Sequence, residues 1–336
     1  MITAKQHVQL KKGLGKTAVV IRREPLAEKK KRQGMCCLTM YSPDRSPHEY
    51  AREIESVAET LAKINRTFLV RCAGVAAREL QTHVTLPRNI AIVDGEDVTQ
   101  KTILFDGQRW TAGWERSREY KGSGKRELPP REATVIRLLG LLTRNADVAE
   151  VTELVKRDPA LKYNLVRYLN TSQICLSAYG GFRSFEQAIM LLGYRQLSRW
   201  LSMYLLHALV EDGVPELYLT AVTRGRQMEL LATMSGVPAS ESDLIFITGS
   251  FSLIDRMLGV TMETALGELG LDGAVSDALL EGKGPYAPFL RFATACEQGT
   301  ESELYEQLAE LGISASDANR AMVEGMHYAA EMSHPA

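Results

Sequence analysis

The sequence predicts an α+β protein: a small α/β unit over residues 1–118, then an all-α, multi-helix unit over 131–336. Three observations carry that prediction. Short β-type runs alternate with an amphipathic helical run in the first part. EYKGSGKRELPP (119–130) combines Gly, Ser, charge and a Pro pair, and reads as a linker. Beyond it, apolar residues recur at spacings of three and four, with glycines between the segments.

The elements follow in order. TAVVIR (17–22), MCCLTMY (35–41), FLVRC (68–72) and NIAIV (89–93) have strand composition and length. Tyr50, Ile54, Val57, Leu61 and Ile64 form one face of a helix over 47–64. TILF (102–105) and RWTAGW (109–114) flank Asp106-Gly107-Gln108, a hairpin with a Gly-containing turn. In the second unit, Asp158 and Pro159 are placed to cap and begin a helix over 157–172, with Leu161, Leu165, Tyr168 and Leu169 as its buried stripe. Residues 184–209 give two helices meeting near Gly193, with Ser184 and Gln187 at capping-box spacing. Further helices are predicted near 215–235, 241–258, 261–269, 273–281, 286–298, 301–311 and 314–331. Gly213, Gly236, Gly259, Gly270, Gly282, Gly299 and Gly312 are their terminators.

Composition bounds the function. A chain of 336 residues suggests two domains, and a net charge of −1 gives no overall pull toward nucleic acid or acidic lipid. Apolar runs stop well short of the roughly 18 residues of a membrane span. The basic start lacks the apolar core of a secretion signal. Cys36, Cys37, Cys72, Cys175 and Cys296 are odd in number and never in C-x-x-C spacing, so neither zinc nor disulfides are indicated. A reduced cytoplasmic protein with no metal and no cofactor is expected.

Catalytic patterns fail one by one. KKGLGKT (11–17) ends like a phosphate-binding loop, but the required first glycine is Leu10 and no apolar strand precedes it. Residues 1–32 carry ten Lys or Arg and two Glu, yet no aromatic residue that could stack on a base. A solvated basic tail accounts for them better than a nucleic-acid site. The six histidines (7, 48, 83, 207, 327 and 334) form no constellation, and His207 reads as a packing or capping residue. Gly249-Ser250-Phe251-Ser252 lacks the second glycine of a nucleophile elbow. Leu244, Ile247, Phe251, Ile254 and Leu258 instead place ITGSFSLIDRMLG (247–259) on one buried helical face.

VKRDPALKYNLVRYLNTS and SFEQAIMLLGYRQLSRWL, followed in order by RGRQMELLA (224–232) and DLIFITGSFSLIDRMLG (243–259), resemble the HDOD output domain over about residues 131–300. That family looks like a relative of the HD phosphohydrolases, in which a His, a His-Asp pair and a further Asp converge on metal. The resemblance places Ser252 and Leu253 at the His-Asp pair, with Asp255 one turn beyond. It places Thr223-Arg224-Gly225-Arg226 in the region of the first His, and Cys296 and Glu297 near the last Asp. A Ser is a feeble metal ligand and a Leu is none. VVIRREPLAEKKKRQGMCCLTMY, and FLVRCAGVAARELQTHVTLPRNIAIVDGEDV after it, resemble EAL-type cyclic-di-GMP phosphodiesterases, with Cys36 where the metal-binding Glu would stand. The region is about half the length of a barrel, so the resemblance implies a truncated, degenerate EAL-like unit.

The resemblances together imply a bacterial signal-transduction pseudoenzyme, non-catalytic, acting on protein partners through its HDOD domain and linked to cyclic-di-GMP signalling. Arg195 and Arg199, four apart on one helical side with Trp200 beside them, are the candidate partner-binding residues. The same residues also suit a bland role, with Trp200 in the core and each Arg solvated or holding an internal carboxylate. The rival readings are a residual metal-dependent phosphodiesterase or phosphohydrolase, and a nucleotide or nucleic-acid binder using the basic N-terminus.

Overall fold

The computed structural model describes residues 19–27, 35–112, 130–164, 185–209 and 215–333, apart from positions 45, 96, 99–101, 107, 144, 159, 160, 162, 270 and 272. The predicted linker up to residue 129, the helical run 165–172, Ser184, Gly213 and Gly270 lie outside the described residues.

The strands are β1 (Val20–Ala27), β2 (Met35–Tyr41), β3 (Phe68–Cys72), β4 (Ile90–Ile92), β5 (Thr102–Phe105) and β6 (Gln108–Ala112). They form one sheet in the order β4-β3-β2-β1-β6-β5. β1 and β2 are an antiparallel pair, whereas β2, β3 and β4 run parallel, joined through α1 (Pro47–Ala62) and α2 (Ala77–Gln81). Two successive βαβ units result. β1 continues to Ala27, past its predicted end at residue 22, because its ladder with β2 runs on to the Leu26–Met35 pair. Every residue of β2 is buried, as an unbroken apolar strand covered on both faces should be. Cys36, Leu38 and Met40 face the main core, and Cys37 joins Leu26, Leu69, Val93, Ile103 and Trp110 in a second cluster.

Helices follow: α3 (Pro130–Thr143), α4 (Val148–Lys156), α5 (Phe185–Leu209), α6 (Pro215–Met234), α7 (Ser242–Phe251), α8 (Ile254–Leu258), α9 (Met262–Leu269), α10 (Gly273–Leu280), α11 (Ala287–Gln298), α12 (Glu301–Leu311) and α13 (Ala315–Met332). The mixed sheet and the helical run make the α+β class plain. Gly193 breaks α5 at φ 68° and ψ 169°, where the sequence placed a junction. Asp158 accepts the Leu161 N–H at 2.9 Å, as its capping role required.

One expectation fails. The single helix over 241–258 is broken, since α7 stops at Phe251 and Leu253 sits at φ −127°, ψ 13° before α8 begins. Ser252 Oγ donates to the Gly249 carbonyl at 2.6 Å, a local side-chain bond that competes with helix continuation. The glycine punctuation holds: Gly299 ends α11 in extended backbone (φ −73°, ψ 161°), and Gly259 and Gly312 end α8 and α12 in the left-handed form.

One cluster of buried apolar residues runs from the sheet through α1 into the helices, from Val19 to Ala329. The seam also carries polar ties. Asn319 on α13 accepts the Ile21 N–H at 3.0 Å and donates to the Val19 carbonyl at 2.7 Å, standing in for a strand partner at the start of β1. Arg66 grips Glu216 through two bonds of 2.6 and 3.1 Å, and Tyr305 donates to the Tyr41 carbonyl at 3.1 Å.

Candidate functional site

The site is built on helix crossings that only glycine allows. A Cβ on Gly249 of α7 would stand 2.7 Å from the Gly225 Cα of α6, and one on Gly325 of α13 would come within 2.8 Å of the Thr223 carbonyl oxygen. Close approach of the three backbones fixes the turn of α6 that carries Arg224.

Arg224, Ser252 and Glu297, drawn from three distant segments, meet there. Arg224 Nε and Nη2 donate to the two Glu297 oxygens at 2.9 and 2.7 Å, a bidentate clasp. Its Nη1 donates to Ser252 Oγ at 2.9 Å. Arg23, from β1, adds Nη2 to Glu297 Oε1 at 3.0 Å. The side chains of Arg23, Arg224 and Glu297 are 7%, 5% and 2% exposed, so this is a desolvated cluster of two cations and one anion. Cys296 beside it accepts from Gln227 Nε2 at 3.5 Å, and burial pushes its thiol up to about 12.

A divalent metal does not fit these residues. The one carboxylate is already clasped by two guanidinium groups, and a further cation would meet like charge. Leu253 is buried and apolar, while Asp255 is half-buried in the first turn of α8. No group of three or more His, Cys, Asp or Glu side chains able to hold a metal occurs among the described residues.

Cys36 lies at the seam, beside a cavity of about 20 Å³ lined by Arg23, Arg66, Phe68, Glu216 and Met326 among others. That volume holds about one water. Burial raises the Cys36 thiol to about 12, against the opposing pull of Arg23. Arg22 and Arg23, counted above with a solvated basic tail, are β1 residues: Arg23 is buried and Arg22 donates to Glu24 and the Gly299 carbonyl. The first eighteen residues of the basic run lie outside the described residues.

Arg195, Arg199 and Trp200 have three different fates. Arg199 clasps Glu229 with bonds of 2.6 and 2.9 Å and lies over the Phe246 ring, its Cζ 3.8 Å from the centroid. Arg226 and Ser242 complete the Glu229 shell. Burial alone would raise Glu229, but the Arg199 bonds and charge, with Ser242 and Arg226, bring it down to about 2. Trp200 is buried and stacks on Tyr204 at 5.1 Å. Arg195 is 57% exposed and reaches Asp243 at 2.9 Å. Of the three, Arg195 has the most surface to offer.

Sequence reasoning missed Arg23, Arg66 and Asn319. An Arg inside the β-type run VVIRREPL and an Asn within an otherwise apolar helical stripe were the available signals.

No family model matches the chain. It is 33% identical over 168 residues to the uncharacterized protein YuxH of Bacillus subtilis, covering 48% of this chain and 40% of that protein. It is 27% identical over 186 residues to the cyclic di-GMP phosphodiesterase CdgJ of Vibrio cholerae, covering 55% of this chain and 42% of that one. The chain thus matches about two fifths of the length of these curated relatives. A solved structure from Marinobacter aquaeolei VT8, assigned provisionally to signal transduction, is similar at a TM-score of 0.43 and 14% identity over 97% of this chain and 99% of that one. No described helix is long and apolar enough to cross a membrane.

Proposed function

We propose that the chain is a non-catalytic signal-transduction protein of the cytoplasm, working through protein partners in cyclic-di-GMP-linked signalling. Its helices 131–336 act as an HDOD output domain, and its sheet half is a degenerate EAL-like remnant. The observation that carries the non-catalytic reading is the Arg224 guanidinium, bound to Glu297 and Ser252 where the HD resemblance places metal ligands. The local similarity to CdgJ supports the signalling context, and the two βαβ units are compatible with descent from a barrel. Arg195 is the proposed partner contact.

The phosphodiesterase named in that relative supplies the rival reading. Elemental analysis of the purified chain, with cyclic di-GMP turnover measured in added Mn²⁺ and Mg²⁺, separates the two. The expected result is no stoichiometric metal and no hydrolysis; either one, if found, overturns the non-catalytic reading. Arg195→Glu should weaken partner capture from native cells at unchanged melting temperature, whereas Arg199→Glu would set two carboxylates against each other at Glu229 and confuse the test.

A further inference from the structure

The fold brings together two histidines that spacing along the chain keeps apart. His48 is the second residue of α1, and His83 lies two residues past the end of α2. Their imidazole rings stand 4.3 Å apart, centre to centre, tilted by 54°, and both residues are exposed. The backbones beneath them are held separately. Tyr50, two residues on from His48, accepts the Ser42 N–H at 2.9 Å and donates to the Ala73 carbonyl at 3.1 Å. The Ala77 N–H at the start of α2 donates to Asp94 at 3.1 Å. Leu80 is fully buried, and the His83 N–H donates to the Leu80 carbonyl at 2.9 Å.

We propose that His48 and His83 chelate one divalent cation of the zinc class, water completing its shell, and so tie the start of α1 to the end of α2. Imidazole nitrogen suits Zn²⁺, Ni²⁺ and Cu²⁺, whereas Mg²⁺ and Ca²⁺ prefer oxygen. Two imidazoles on one zinc, each bound at about 2.0–2.1 Å, put their ring centres roughly 4.5–5 Å apart. The pair already stands close to that distance, and exposed rings turn freely enough to make up the rest. Because other bonds fix the two backbones, chelation orders little more than the rings themselves. Net charge does not draw the cation in. Segments 44–52 and 78–88 carry Asp44, Glu49 and Glu79 against Arg45, Arg52, Arg78 and Arg88, so the nitrogen lone pairs must hold it. The inference goes beyond the signalling reading above and does not depend on it. Two protein ligands release, on dialysis, a cation that the four of a structural zinc site would keep.

The test uses the full chain dialysed against EDTA, with Zn²⁺ as the probe. Calorimetry reads binding and thermal melting reads stability. Wild type should bind one Zn²⁺ and melt higher with it. His48→Gln and His83→Gln should each weaken binding about tenfold or more and lose that rise in melting temperature. Without metal both variants should melt as wild type does, because the two residues are exposed. His327→Gln, on α13, should bind as wild type, and Mg²⁺ should give no heat with any of them. Absence of Zn²⁺ binding reduces the pair to stacked rings and overturns the proposal. Binding that persists in either variant overturns it as well, since the cation then sits elsewhere. So does a dimer formed only with Zn²⁺, which would make the site a bridge between two copies. Zinc lost with His48→Gln bears on this site alone, whereas metal or cyclic di-GMP hydrolysis that survives both variants bears on the non-catalytic reading.

Discussion

Glu297 and Glu229 are each clasped by two arginines, yet one sits where the sheet meets the helices and the other ties helices together. Glu297 draws Arg23 from β1 and Arg224 from α6 into a dry pocket. Glu229 draws Arg199 from α5 and Arg226 from its own helix, and Ser242 adds a third donor. Arg199 is also packed on Phe246, so its cation is partly repaid by an aromatic face. The same chemistry does two jobs. At Glu297 it fastens the sheet to the helices; at Glu229 it is an ordinary helix staple. What separates them is the kind of segment joined: strand with helices at Glu297, helices alone at Glu229.

The comparison can be broken by mutation, beginning with the largest effect. Glu297→Gln leaves two buried guanidinium groups uncompensated and should cost about 3–5 kcal/mol in urea unfolding. Replacing Arg23, Arg224 and Glu297 together by Met, Met and Leu should recover most of that, because apolar groups remove the unpaired charges along with the pair. If the triple change is as damaging as Glu297→Gln, the cluster does more than fasten the halves.

Glu229→Gln should cost on the order of 2–3 kcal/mol at pH 6. Glu229 is held down at about 2 from its usual 4.5, so its contribution is present above pH 4.5 and fades as pH falls toward 2. The gap between wild type and variant in urea midpoint should therefore narrow from pH 6 to pH 3; a constant gap would refute the coupling to Arg199.

Gly225→Ala tests the crossing that positions Arg224. Its Cβ would come within 2.2 Å of Ser250 Oγ and 2.7 Å of the Phe246 carbonyl oxygen, an overpacking worth about 1–3 kcal/mol. A melting temperature equal to wild type would show that the helices can part. Smallest of all, Arg195→Ala removes an exposed pair with Asp243 and should change stability by less than about 1 kcal/mol.

Much of the architecture was legible locally. MCCLTMY, FLVRC and TILF are strands with the bounds their composition gave, and the helices from residue 215 onward fall close to their glycine punctuation. Period and turn chemistry are short-range properties, so a single sequence exposes them. Part of the site was legible too: the segments holding Arg224, Ser252 and Glu297 were singled out by resemblance, and they do meet. The pairing within the site was not legible, since nothing in RGR or ACEQG states that a guanidinium and a carboxylate separated by 73 positions will clasp. The break at Ser252-Leu253 was hidden for a related reason, because the apolar spacing continues across it while a hydroxyl redirects the backbone.

By itself, then, the sequence determined the elements and their order, which are written in residue type and spacing. Tertiary structure decided that Arg23 of β1 and Arg224 of α6 meet on one buried carboxylate. It also decided that Arg199 is spent inside the fold while Arg195 keeps more than half of its side chain exposed. Which charges are neutralised depends on distances of a few ångströms between remote segments. Only packing the helices and sheet against one another sets those distances.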